Sequence, residues 1–296
     1  DVCRTLAAEY PKVRLLQHPD KQNHGPGATR NLGIRSARCE YVAFADADNF
    51  YLPGRFVRDR EILLQDPTAE GVYSAEGIHY YSEAARAHFF ATAEGDQEFL
   101  TLSEPVPPEE LIYVWLGQHP TATGQFGMDA ITVRRSVFEK TGLFDPSLRL
   151  QQDFHLFMRL AAVCRLVPGI LDRAVCVRGV HENQRMTNTV LQEQCKELRL
   201  RKLRPWFFEH VEEPAVLRAF ERHYWYYMLH KRRGPAAVYP FLRLVRAYGW
   251  DSWKEPYGVV EQGVLNVMGR SRPVMRALSF KRRLLARYGA GNADVV

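Results

Sequence analysis

Residues 40–49, E-Y-V-A-F-A-D-A-D-N, constrain this chain more than any other stretch. Residues 41–45 form a short and almost wholly apolar run. It is too short for an ordinary helix and predicts a strand buried on both faces, as in a parallel sheet. Asp46 and Asp48 stand where that strand runs out. In open α/β sheets, sites lie beyond the carboxyl ends of strands. Two carboxylates one residue apart on a rigid strand tip suit a hard divalent cation, completed by water and a substrate phosphate. The bland alternative is a solvated turn, because Asp and Asn favour turns.

Composition narrows the class. The chain has 296 residues, 46% hydrophobic and 25% charged, the mix of a globular protein with a real core. No run approaches the ~18 uninterrupted apolar residues of a membrane span. Cys3, Cys39, Cys164, Cys176 and Cys195 are odd in number and form no C-x-x-C pair. That argues against a disulfide scaffold or zinc knuckle and predicts a reducing compartment. Charge is unevenly placed. Residues 1–190 carry 20 Lys+Arg against 24 Asp+Glu, a net of −4, and residues 191–296 carry 20 against 10, a net of +10. The change marks a module boundary near residue 190. It gives the second half a basic surface that faces either solvent or an anionic partner.

In chain order, residues 1–10 read as the end of a helix closed by Pro11, and residues 12–17 as a short strand. The loop H-P-D-K-Q-N-H-G-P-G then feeds a helix over 28–38. A Gly-rich loop at a helix N-terminus suits an anion, because free N–H groups and the positive dipole end face outward. Pro53 opens a helix to about Gln65, with Phe56, Ile62 and Leu63 on its buried side. Residues 71–79 and 87–93 are strand-like and predict a hairpin. A helix starts at Pro107 and Pro108 and runs through Trp115. The loop 118–127 is expected near a site, and a strand over 129–133 and a helix over 135–140 follow it. From Gln152, the residues Phe154, Phe157, Met158, Leu160 and Ala161 keep helical spacing. Asp153 falls in the first turn, where its charge favours the helix dipole and its carboxylate aims out of the helix mouth. Strands at 164–170 and 174–178 lead to a polar loop at 180–185. That loop offers His181 to a metal and Arg185 to a phosphate, or is simply solvated.

From Thr187 the pattern is helical, with segments at 188–208, 213–231, 235–248, 256–268 and 273–288 and breaks at prolines such as Pro205. Lys281, Arg282 and Arg283 make a basic amphipathic end that suits either an anionic membrane surface or water. The aromatics Trp206, Phe207, Trp225 and Tyr226 lie in helical patterns and read as buried, so no nucleic acid is expected as a partner.

Four segments then occur in order. They are H-G-P-G-A-T-R-N-L-G-I at 24–34, Y-V-A-F-A-D-A-D-N at 41–49, T-G-L-F-D at 141–145 and Q-Q-D-F-H-L-F-M-R-L at 151–160. Together they resemble the family 2 glycosyltransferases, inverting enzymes of the GT-A fold that use nucleotide-activated sugars. The resemblance covers roughly residues 1–190. It implies an α/β, Rossmann-like GT-A domain with a mixed, mostly parallel sheet, followed by a basic helical region over 191–296. It implies that Asp46, Ala47 and Asp48 form the segment holding Mn²⁺ or Mg²⁺ on the donor diphosphate, with Asp48 the more direct ligand. It places Gly27, Arg30, Asn31 and Arg185 around the donor, and His181 against the donor or the metal. Asp153 is the implied general base for the acceptor hydroxyl. The implied partners are a nucleotide-sugar donor, expected to be UDP-linked, and a glycan, lipid-linked or other hydroxyl acceptor in polysaccharide or cell-envelope synthesis. The reducing compartment expected from the cysteines is the cytoplasm, and the basic C-terminal helices suit either a peripheral place at the inner face of the membrane or water.

Two departures from the family pattern stand out. Gln152 replaces the Glu of the family's E-D pair, so the base lacks its charged neighbour. The family's first strand and its D-D-G-S-type turn, which hold the nucleotide base, would precede Asp1, so the chain reads as a fragment. Two competing readings remain: a nucleotidyl- or phosphotransferase on a similar sheet, and a non-catalytic sugar-nucleotide-binding relative.

Overall fold

The computed structural model describes residues 2–92, 99–181 and 189–248. The chain divides into two units, residues 1–203 and 204–296. In the first, the strands are β1 (Tyr41–Ala43), β2 (Phe50–Tyr51), β3 (Gly71–Tyr73), β4 (Ala75–Tyr80), β5 (Phe99–Leu100), β6 (Ile131–Arg134), β7 (Leu166–Pro168) and β8 (Ala174–Val180). They form two four-stranded sheets, in the spatial orders β1-β6-β3-β7 and β2-β8-β4-β5. Both sheets are mixed, and only β3–β7 and β4–β8 pair in parallel. The strand expected over 41–45 is therefore shorter than its apolar run and differently placed. β1 pairs antiparallel with β6 at the edge of its sheet. An apolar run records burial but not the direction of the neighbouring strand.

The helices of this unit are α1 (Val2–Glu9), α2 (Gly25–Ser36), α3 (Val57–Gln65), α4 (Glu83–Thr92), α5 (Leu111–Trp115), α6 (Val137–Thr141) and α7 (Gln152–Val163). Leu63 of α3 packs with Ala69 and Val72 against Tyr41, Ile62 and Val167. Phe56, expected on that buried side, is exposed instead and lies over the Arg55 guanidinium at 4.9 Å. A second cluster joins Ala130, Val175 and Cys176 to Tyr51 and Ile170. On α7, Leu156, Phe157, Met158 and Leu160 are buried, each worth about 1.5–3 kcal/mol on leaving water. The Phe157 ring packs 5.0 Å from Phe126 and 5.3 Å from Trp115.

Two expected strands are absent. Residues 12–17 carry no strand, and Val13, Leu15 and Leu16 are exposed. Residues 87–93 do not close a hairpin, because most of that stretch belongs to α4, where E-A-A-R-A is strongly helix-favouring. The partner of β4 at that edge is β5.

Beyond β8 come α8 (Thr189–His210), α9 (Pro214–His230) and α10 (Pro235–Tyr248). Pro205 lies inside α8 and does not end it, although proline there forgoes one helical hydrogen bond. In the second unit Glu213 caps α9 by accepting the Ala215 N–H at 3.1 Å, and Phe207 stacks on Phe220 at 4.0 Å. The helices expected at 256–268 and 273–288, and the basic end at 281–283, lie outside the described residues. No described helix is long and apolar enough to cross a membrane. All five cysteines are free thiols.

Candidate active site

The D-A-D-N segment closes a turn directly after the β1 run. The Asn49 N–H donates to the Asp46 carbonyl at 3.0 Å, and β2 begins at once. Asp46 accepts from Arg30 Nη2 at 2.5 Å. Ala47 is exposed at the tip. The Asp48 side chain is 44% exposed, with His181 Nε2 standing 3.6 Å from its Oδ2.

This turn is not merely solvated, because it is wired from beneath. Asp129 is 1% exposed and accepts the Asp46 N–H at 2.7 Å through Oδ1. Its Oδ2 accepts the Asn49 carboxamide. Asn49 Oδ1 in turn accepts the Gly179 N–H at 3.0 Å, so the turn also fixes the end of β8 that leads to His181. A Cβ at Gly179 would strike the Asp48 carbonyl, so only glycine permits this approach. Below Asp129 lies Glu76, buried beside a register shift in β4, the kind of irregularity that re-aims a side chain. Burial pushes the Glu76 carboxyl well above the usual range, and the neighbouring Asp129 charge pushes it further. Burial also raises Asp129, but there the hydrogen bonds from Asn49 and the Asp46 N–H oppose it.

One helix joins this turn to the start of α7. Gly27, Arg30 and Asn31 of α2 are spaced i, i+3, i+4 and share a face. Arg30 holds Asp46, and its guanidinium lies 5.5 Å from the Phe144 ring centre. Asn31 is buried and grips Phe144 reciprocally. Its Nδ2 donates to the Phe144 carbonyl at 2.8 Å, and its Oδ1 accepts the Phe144 N–H at 2.9 Å. Both ends of that carboxamide are engaged, so Asn31 clamps the Phe144 backbone. Gly27 abuts the Gln152 carboxamide, with which any Cβ at 27 would collide. Gln152 Nε2 donates to the Leu148 carbonyl at 2.6 Å, while its Oε1 is buried without a partner among the described residues.

Asp153 sits half-buried in the first turn of α7 and accepts the Phe154 N–H at 2.9 Å. The residue before the helix, Gln151, takes a left-handed conformation with φ 65°. Arg185 lies outside the described residues. Among the described residues, no three His, Cys, Asp or Glu side chains converge to hold a metal by themselves. Sequence reasoning missed Asp129, Glu76 and Gly179. The one local signal was Asn49, which follows the acidic pair directly.

In architecture the chain is similar to a crystallised fragment of Staphylococcus aureus TarS, solved with UDP-GlcNAc. The TM-score is 0.54 at 15% identity, over 100% of this chain and 81% of that one. The fold is thus of the GT-A glycosyltransferase type. The chain belongs to the glycosyltransferase-like family 2, whose model matches residues 1–175. An uncharacterised Haemophilus influenzae glycosyltransferase is 21% identical over 170 residues, 57% of this chain and 52% of that protein. The succinoglycan biosynthesis protein ExoU of Rhizobium meliloti is 28% identical over 158 residues, 53% of this chain and 43% of that protein. The chain spans about half the length of these curated relatives.

Proposed function

We propose that this protein moves a sugar from a nucleotide-diphospho-sugar, UDP-linked, to an acceptor hydroxyl with inversion at the anomeric carbon. The acceptor is a glycan or lipid-linked hydroxyl in polysaccharide or cell-envelope synthesis. The reaction runs in the cytoplasm, with the protein peripheral at the inner face of the membrane. The observation that carries this reading is the face of α2, which ties the Asp46 turn to the start of α7. A donor-side acidic turn and a helix-mouth carboxylate thereby share one scaffold. The relative named for succinoglycan biosynthesis and the neighbour crystallised with UDP-GlcNAc point the same way.

Asp48 and His181 offer two ligands 3.6 Å apart. This pair, with Asp46 behind it on Arg30, fits Mn²⁺ or Mg²⁺ when a diphosphate completes the coordination. The cation, when bound, neutralises charge growing on the leaving diphosphate. Arg30 fixes the direction of Asp46, and Asp129 fixes the turn. Asp153 takes the acceptor's proton onto its carboxylate as the hydroxyl oxygen attacks the anomeric carbon. The bond to the diphosphate oxygen breaks on the opposite face. One base therefore suffices and the centre inverts. Gln152 adds no charge beside that base and instead packs the helix start against Gly27.

Calorimetric titration with UDP, with and without Mn²⁺, tests the reading. Binding should depend on the metal. Asp48→Ala should weaken it by at least about tenfold. Asp153→Asn should leave UDP affinity within about twofold and remove transfer. UDP binding indifferent to Mn²⁺ would sink the metal assignment, and full transfer by Asp153→Asn would sink the base. A nucleotidyltransferase would instead favour UTP over UDP.

A further inference from the structure

We propose that Arg199 is a positioning residue for Asp153, so that the first half of α8, beyond the stretch that defines the family, aims the base. The proposal rests on the reading of Asp153 as that base. Gln151 is a non-glycine residue in the left-handed region, which persists only where its surroundings over-determine it. It precedes α7 as the N-cap, yet its side chain makes no capping hydrogen bond. The side chain reaches α8 instead. Arg199 Nη1 donates to Gln151 Oε1 at 2.6 Å, and Gln151 Nε2 donates to Gln192 Oε1 at 3.4 Å. The Arg199 guanidinium also lies 5.4 Å from the Phe154 ring centre. Arg199, 8% exposed, thus touches the residues flanking the Gln152–Asp153 pair on both sides.

A second contact repeats the pattern. Lys202 pairs with Asp145 of the T-G-L-F-D segment at 2.8 Å. Burial works against the Asp145 charge, but hydrogen bonds from Lys202 and Ser147 outweigh it and hold the carboxyl at about 2. Gln192, Arg199 and Lys202 fall near one face of α8, alongside buried Cys195 and Leu203. The family match ends at residue 175, so none of these contacts follows from membership. The left-handed turn at Gln151 sets the direction in which α7 starts, and Asp153 lies two residues on. Without Arg199, Gln151 is free to relax toward an ordinary conformation, which would swing the first turn of α7.

Hydrogen exchange of the α7 amides in the full chain decides the matter, with UDP affinity measured in parallel. The His155 N–H, which donates to the Gln151 carbonyl at 3.0 Å, is the reporter. Arg199→Ala should speed its exchange by at least about tenfold while UDP affinity stays within about twofold. Adding Gln151→Gly to Arg199→Ala should restore protection, because glycine takes positive φ without steric cost. In UDP release from UDP-GlcNAc, the loss in Arg199→Ala should fall on kcat and not on KM. Unchanged exchange in Arg199→Ala, or no rescue by the glycine, overturns the proposal, since a residue that only packs would not be rescued at position 151. Should Arg199→Ala fail to fold, Gln151→Gly alone decides. Near-native protection supports the proposal, and faster exchange overturns it. Asp153→Asn should keep the Arg199-dependent protection. Turnover by that variant would sink the base reading without touching the geometry of the turn.

Discussion

Asp129 commits both carboxylate oxygens to the acidic turn, one to a backbone N–H and one to a side-chain amide. Asp129→Asn keeps the volume but replaces one acceptor with an NH₂ group. A donor then faces a donor inside a buried site, a fault that costs about 1–3 kcal/mol. The expected outcome is a lower melting temperature together with about tenfold weaker Mn²⁺-dependent UDP binding, read by calorimetry. A variant that melts early but binds UDP normally would show that Asp129 supports the fold and not the turn. Asp46 and Asp48 were legible in the sequence because an apolar run ends on them. Asp129 was not, because its partners lie 83 and 80 residues away and a single Asp before a strand looks like any turn residue. Asn31 was legible as a position, but its grip on Phe144 was not. Its neighbours in sequence suggest a donor pocket, whereas its partner, Phe144, is 113 residues distant.

Among the elements, α7 carries a latent acid sensitivity. His155 is buried, and neither ring nitrogen has a partner among the described residues. Burial, and then the Arg159 charge, push its pKa down to about 3 from an ordinary 6.5. The unfolded chain therefore takes the proton first as pH falls. The stability tied to neutral His155 is complete above about 6.5 and is lost as pH drops toward about 3, by roughly 1.4 kcal/mol per unit. His155→Leu should move the acid-unfolding midpoint, followed by circular dichroism, to lower pH, and an unmoved midpoint would refute this. The helical period of α7 was plain in the sequence, as were α9 and α10, since long apolar periodicity survives any tertiary context. Short elements fared worse. Residues 12–17 have a strand's composition but no partner strand among the described residues, and α4 reads as strand only if its Ala-rich start is ignored. The face of Gly27, Arg30 and Asn31 was present as a helical spacing. Nothing local said that it would join two sites.

The asymmetry of charge operates on the whole molecule. The net of +10 over residues 191–296 has a structural counterpart in α10. There Tyr239 is 62% and Leu242 60% exposed, and Arg246 is exposed one turn on from Leu242. Exposed apolar side chains beside an exposed arginine are the composition of a helix that lies in a membrane interface. Each arginine near an anionic surface is worth about 1 kcal/mol, and a leucine side chain leaving water about 1.5–3 kcal/mol. Leu242→Glu removes the second contribution and opposes the first. Sedimentation with phosphatidylserine-containing vesicles should therefore show at least about tenfold weaker binding for this variant. Binding of the unaltered protein should weaken with salt, because the arginine contribution is screened over about 10 Å at 0.1 M. Equal binding by Leu242→Glu would remove α10 from the contact, and equal binding to neutral vesicles would remove the charge. The packing boundary after residue 203 sharpens the point. The first half of α8 belongs to the unit that carries Asp153. Its Arg199 and Lys202 are committed to Gln151 and Asp145, so the vesicle contact is expected of α10 and not of the start of α8.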